Sequence, residues 1–292
     1  MPSIEKVSAE KHVGDATVLA YHKGHVFSGG IDGKIKIWDN DLNLIRSVDA
    51  HEAYLYALTV NSSGKLYSSS CDGSVKFMQP PYDKVEELLL CDDAIEAMCC
   101  EGDTLYIGDE KGLVTNWQDD KMLLKYNLVE EVKSLAAEKG WIYTVRDWDV
   151  VVSELLPGKS GKYVTRAVLD GKSPLCLLGP VLTDRHKYLA YPDRTGKGLT
   201  LVKNLLAERF SIAWQLPDCH EMIVNALCGD EKFLYSGGYD NKVKGWTDLD
   251  EEKPKALGEI DLGSCVNCLC CGNDNTVYIA CSDGIIRRAK FL

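Results

Sequence analysis

The chain has 292 residues, a formal net charge of −11, 45% hydrophobic and 26% charged residues, an ordinary globular composition. No run of about 18 consecutive apolar residues occurs, and residues 1–15 hold no basic stretch followed by an apolar one, so neither a membrane span nor a secretory leader is predicted. The overall acidity argues against non-specific nucleic-acid binding, which draws its affinity from phosphate neutralisation.

From the N-terminus, residues 3–7 (SIEKV) read as one short strand. ATVLAY (16–21), GHVFSGG (24–30) and KIKIWD (34–39) follow as short runs rich in Val, Ile and aromatics, divided by Gly, Asn and Asp turns. The same unit then recurs. An aromatic marks each copy: Phe27, Tyr67, Tyr106, Tyr143, Tyr188, Tyr235 and Tyr278, at intervals of 37 to 47 residues. Asp stands five residues later in five copies (Asp32, Asp72, Asp193, Asp240, Asp283), with Lys111 and Trp148 in the other two. Upstream lies a small–Leu–small triplet centred on Leu19, Leu58, Met98, Leu135, Leu177, Leu227 and Leu269. Two independent markers, in one order, seven times, predict seven four-stranded units, and units of about 40 residues are propeller blades.

SGGIDGKIKIWD (28–39) and SGGYDNKVKGWTD (236–248) resemble the signature of the WD40-repeat family, and SSSCDGSVKFMQ (68–79) is a weaker copy. The resemblance implies an all-β, seven-bladed WD40-type β-propeller occupying residues 1–292 as a single domain. It also implies a polar bracing network in which a loop His, a strand Ser, a turn Asp and a strand Trp bond in series. Blade one offers His12, Ser28, Asp32 and Trp38; blade six offers His220, Ser236, Asp240 and Trp246; blade two offers His51, Ser68 and Asp72, with Met78 in place of Trp. Blades three, four, five and seven lack most of the set. Blades four and five, with insertions at 157–174 and 179–187, are expected to be the most irregular. The last unit ends after its third strand, so residues 3–7 are expected to supply its outer strand and close the ring, in a chain with no appended domain.

A Ser/His/Asp nucleophile is not read from these residues, because the set recurs in separate blades. His22, His25 and His186 fall near turns and are expected to be solvated. Cys265, Cys268, Cys270 and Cys271 have zinc-like spacing, but alternate residues of a strand face opposite ways, and Cys268 and Cys270 match the small positions of the other blades, so these two read as small buried side chains. No phosphate-loop, metalloprotease, nucleophile-elbow or dinucleotide-binding pattern occurs, and no cofactor is expected.

The family's geometry implies an interaction face at the His and Asp loops, with Tyr54, Tyr56, Tyr239 and Trp148 as aromatic anchors and Glu96, Glu110, Glu131 and Asp147 as acids. Aromatics anchor interfaces, and flanking carboxylates favour a partner bearing Lys or Arg. The expected function is a non-catalytic scaffold or adaptor, monomeric by itself, that presents a docking face to a protein or peptide within a larger assembly. Twelve cysteines without a leader place it in the cytosol or nucleus. One alternative is a metal- or small-molecule-binding propeller enzyme with Glu96 and Glu131 around a cation in the central channel. Another is an RNA-binding module using residues 157–203, which hold nine Lys/Arg against three Asp. Segment 86–131, by contrast, holds thirteen acids and three lysines.

Overall fold

The computed structural model describes residues 1–158, 161–182 and 184–291. The described residues form seven four-stranded antiparallel sheets and one 3-10 turn, Leu206–Glu208. Six sheets use consecutive strands, spanning 16–49, 55–90, 97–127, 134–170, 176–216 and 224–261; these are blades one to six. The seventh joins Val266–Cys271, Thr276–Cys281 and Ile286–Lys290 to Ser3–Val7, which pairs along the last strand from Ser3 opposite Lys290 to Val7 opposite Arg287. The Ser8 backbone N–H extends this ladder by donating to the Ile286 carbonyl at 2.9 Å.

The core is divided among the blade interfaces. Seven hydrophobic clusters each draw side chains from two neighbouring blades. The cluster joining blades seven and one packs Tyr278, Ala280 and Ile286 against Ala16, Leu19 and Trp38, so the blades form a closed ring: a seven-bladed β-propeller. Both faces of each middle strand are covered, and Leu66–Ser70 and Leu234–Gly238 are buried at every residue. Outer strands such as Leu44–Asp49 carry mostly exposed residues.

The recurrent small residues follow from this packing. A Cβ on Gly29, Gly108 or Gly237 would come within 2.7 Å of Leu55, Val132 or Val266 of the next blade. The turn glycines Gly33, Gly73 and Gly112 have positive φ (71°, 80° and 84°) and approach backbone atoms of the following loop, His51, Cys91 and Glu130.

The two insertions are absorbed into strands. The eight residues Tyr163–Asp170 form the outer strand of blade four, and Cys176–Leu182 pairs with Arg185–Pro192 in a long hairpin with a register shift between Leu178 and Val181. Lys159, counted in the basic segment, lies outside the described residues.

Gly33→Ala is expected to lower stability by about 1–3 kcal/mol, since it adds both a disfavoured φ and a clash with the His51 carbonyl. Gly102→Ala, also at positive φ but with nothing within 4 Å, should cost about 1 kcal/mol. Denaturant midpoints of the two variants check this ordering.

Candidate functional site

In blade one, His12 Nδ1 lies 2.9 Å from Asp32 Oδ1, His12 Nε2 lies 2.8 Å from Ser28 Oγ, and the Trp38 indole N–H donates to Ser28 Oγ at 2.9 Å. Only one proton arrangement satisfies every group: Trp38 donates to Ser28, Ser28 to Nε2, and Nδ1–H to the carboxylate. The imidazole is therefore neutral. Blade six repeats the series, with His220 contacting Asp240 at 2.9 Å and Ser236 at 2.8 Å, and Trp246 donating to Ser236 at 3.3 Å. His12 and Ser28 are fully buried, which leaves a substrate no access to them.

Blade two departs in detail. Ser74 stands between His51 and Asp72, with Oγ 2.7 Å from His51 Nδ1 and donating to Asp72 Oδ1 at 2.5 Å, while the direct His51–Asp72 separation is 3.8 Å. Burial holds all three histidines below their usual pKa, His51 at about 4. Burial also acts to raise the Asp32 carboxyl, but hydrogen bonds from the Val13 N–H and His12 outweigh it and hold it low.

The loop before each inner strand and the turn after each second strand meet at one end of the ring, through bonds such as Ile31 N–H to Asp15 O, Cys71 to Tyr54 and Tyr239 to Ile223. In blades one, two, six and seven the inner strand bulges at Thr17, Tyr56, Asn225 and Asn267. Thr17, Asn225 and Asn267 donate to Leu55 O, Val266 O and Ala16 O of the next blade at 2.8, 3.5 and 3.0 Å. These bulge residues, with Asp15 and Tyr54, line one shallow depression on the face. Tyr56 was expected on this face; the bonds of Thr17, Asn225 and Asn267 to the next blade were not marked by the triplet pattern, although each sits two residues before the triplet's central Leu.

Tyr54 and Tyr56 pack edge to face with centroids 4.9 Å apart and hydroxyls 2.9 Å apart. That hydrogen bond, with burial and the nearby Glu96 carboxylate, pushes the Tyr56 phenol up. Burial first, then Glu131 and Glu110, raises Glu96. Lys133 Nζ lies 3.0 Å from Glu131 and 3.1 Å from Asp147, so a side-chain ammonium already stands where these acids would gather a cation. Glu96 and Glu110 have no ion pair among the described residues. Tyr239 and Trp148 stand apart from the tyrosine pair, on blades six and four, 41% and 50% exposed, with Lys172 Nζ 4.0 Å from the Trp148 ring centroid.

The basic segment is largely paired within the chain. Arg166 meets Glu154, Arg194 meets Asp170, Lys203 meets Glu208 and Lys187 meets Asp250, while Arg185 lies over the Trp141 ring at 4.0 Å. Cys268 and Cys270 pack toward blade one and Cys271 toward blade six. Among the described residues, no three His, Cys, Asp or Glu side chains gather as a metal-ligand set.

The His186 ring is 40% exposed, in keeping with the expectation of a solvated ring, but it also joins a buried network that the sequence did not mark. Its Nδ1 lies 2.7 Å from Glu138, a buried carboxylate that also accepts from the His186 backbone N–H, Tyr143 and Asn204 at 2.9, 3.0 and 2.8 Å. This network joins blades four and five, which lack the His–Ser–Asp–Trp series. Its members are scattered over 66 residues of sequence, so no local motif marks them.

A family model described as "WD domain, G-beta repeat" matches residues 10–39, 42–77 and 214–247. Over the whole ring the chain is similar to the structure of U3-55K, with TM-score 0.83 and 13% identity, covering 99% of this chain and 100% of the other. It is also similar to the computationally designed Ika8 protein, with TM-score 0.69 and 20% identity, covering 98% and 99%. At these identities the likeness is one of fold. Over 136 residues the chain is 28% identical to a Lotus japonicus protein named as a candidate E3 ubiquitin-protein ligase, LIN-1, and 29% identical to one from Medicago truncatula named likewise, LIN. Each match takes in 44% of this chain and 9% of the relative, so the matched stretch is under a tenth of those proteins' length.

Two measurements test the polar networks. Below pH 6.5 the unfolded chain protonates His51, whereas the folded chain does so only near pH 4, so acidification across that window favours unfolding, by about 3 kcal/mol at its lower end. Stability of wild type should fall between these pH values, and His51→Gln, less stable at pH 7, should show a flatter profile. Glu138→Leu should cost about 2–4 kcal/mol, because it strands His186, Asn204 and Tyr143 without their shared acceptor; thermal melts at neutral pH read this.

Proposed function

We propose that this chain, a seven-bladed propeller with WD40 repeats matched in three places and of a fold that generally serves as a protein-interaction scaffold, is a non-catalytic adaptor whose docking face is the end carrying the His and Asp loops. The observation that carries the reading is the half-exposed Tyr54–Tyr56 pair beside Glu96, a partly buried carboxylate without an ion-pair partner among the described residues. Two rings held edge to face lose little freedom on binding. A carboxylate already partly desolvated gains from a partner's ammonium or guanidinium group. The partner is therefore a protein or peptide that presents Lys or Arg next to an apolar residue. Trp148 and Tyr239 extend the contact across blades four to six. The same proposal places the protein in the cytosol or nucleus, on the strength of its twelve unpaired cysteines; imaging of the tagged protein tests this, and a secretory or vesicular location would overturn it.

The RNA reading gains no support from a basic segment whose arginines are engaged by Glu154, Asp170 and Trp141.

The test is affinity purification from native lysate with wild type, Tyr54→Ala/Tyr56→Ala/Glu96→Lys, and Trp148→Ala/Tyr239→Ala, each first shown to melt like wild type. Partners recovered by wild type should fall about tenfold or more in the first variant and less in the second. Equal recovery by all three sinks this assignment of the face.

A further inference from the structure

Blade four differs from blades one and six at every position of the bracing series. In blade one Leu19 faces Ser28 and Val26 faces Trp38 across the ladders. In blade four the corresponding pairs are Leu135 with Thr144 and Ile142 with Ser153. Leu128 stands as far before Leu135 as His12 stands before Leu19, and Trp148 takes the place of the turn Asp. Serine thus replaces an indole and leucine an imidazole, and the space those rings fill elsewhere is left as a cavity of about 100 Å³ between blades three and four.

Leu128, Thr144, Ser153 and Thr165 line this cavity, with Arg146, Glu130 and Glu131 at its loop end. Ser153 is 1% exposed, and among the described residues its Oγ has no hydrogen-bond partner; the Nε of Arg146 is likewise buried and unpartnered among them. Two orphaned polar atoms at one cavity are costly unless something occupies it. Formal charge is balanced within the protein: Arg146 Nη1 lies 2.9 Å from Glu130, and Glu131 is taken by Lys133 at 3.0 Å. An anion would face two carboxylates, and a cation would face the guanidinium. The fitting group is neutral, with a strong acceptor for the serine hydroxyl and a donor for the threonine oxygens.

We propose that the blade-four cavity is a binding site for a primary carboxamide, whose carbonyl accepts from Ser153 Oγ–H and whose NH2 donates toward the threonine hydroxyls, with Arg146 and Glu130 closing the loop end. The carboxamide comes either from an Asn or Gln side chain of a docked peptide or from a free small amide. The site does not depend on the docking reading, since it uses neither the tyrosine pair nor Glu96.

The probe is acetamide, followed by saturation-transfer NMR and by crystal soaks, with acetate and N,N-dimethylacetamide as controls. Acetamide should occupy the cavity of wild type and outcompete both controls. Ser153→Ala should weaken it roughly fivefold, the loss of one hydrogen bond, and Ser153→Trp should abolish it by filling the space. If the tryptophan variant does not fold, Thr144→Val serves in its place and should also weaken binding. Ordered water alone in the soaked cavity overturns the proposal, as does acetate binding equally well or acetamide binding unchanged in the variants. A random peptide phage library panned on wild type, with and without acetamide as competitor, separates the two sources. Competed peptides sharing an Asn or Gln assign the site to a partner's side chain; acetamide binding without such peptides assigns it to a free amide.

Discussion

Both faces of the middle strands in each sheet are largely buried, and no blade of this protein can cover them with a neighbour on one side only. The seven shared clusters are the consequence, and a ring is the arrangement in which every sheet has two neighbours. Each cluster buries side chains from two blades, so stability belongs to interfaces between sheets rather than to any sheet alone. The outer strand Ser3–Val7 ties the N-terminal segment to the last blade and covers an edge that would otherwise present unpaired backbone groups.

Polar groups inside such an interface must be fully paired, and the protein meets that demand in two ways. Blades one, two and six run a relay from serine through a neutral imidazole to a carboxylate at the surface turn. Blades four and five use Glu138 as a common acceptor for three side chains and a backbone N–H. The first device is local, repeated and easily seen. The second spans two blades and occurs where the repeat has lost its marker residues. Blade four also shows what happens when neither the histidine nor the tryptophan is kept and Leu128 and Ser153 take their places: space opens beside atoms that lack partners among the described residues.

The rigid ring holds its loops in fixed register, which suits a face that binds without reorganising. Charge is segregated across that face. Blade three contributes Glu96 and Glu110, which have no ion pairs among the described residues, whereas the acids of blade four are answered by Lys133 and Arg146. The part of the rim able to attract a basic partner is therefore narrower than the acidic segment 86–131 suggests, and it adjoins the tyrosine pair.

Aromatic spacing, the small–Leu–small triplets and the Asp turns were enough to identify seven blades, because each recurs with the four-stranded unit whose apolar side chains fill the space between neighbouring sheets. The loop His, strand Ser and turn Asp positions of blades one, two and six, with the Trp of blades one and six, followed from the resemblance to the WD40 signature. Residues that act across blades were not legible. Ser74 entering the blade-two relay, the bulge residues Thr17, Asn225 and Asn267 reaching the next blade's backbone, and Glu138 meeting His186 and Asn204 all depend on distances between segments far apart in sequence. Local pattern determined the period, the strands and the turn chemistry of this protein. The tertiary structure alone decided which charges are paired, which polar atoms are orphaned and where a cavity remains, because those depend on how neighbouring blades come together.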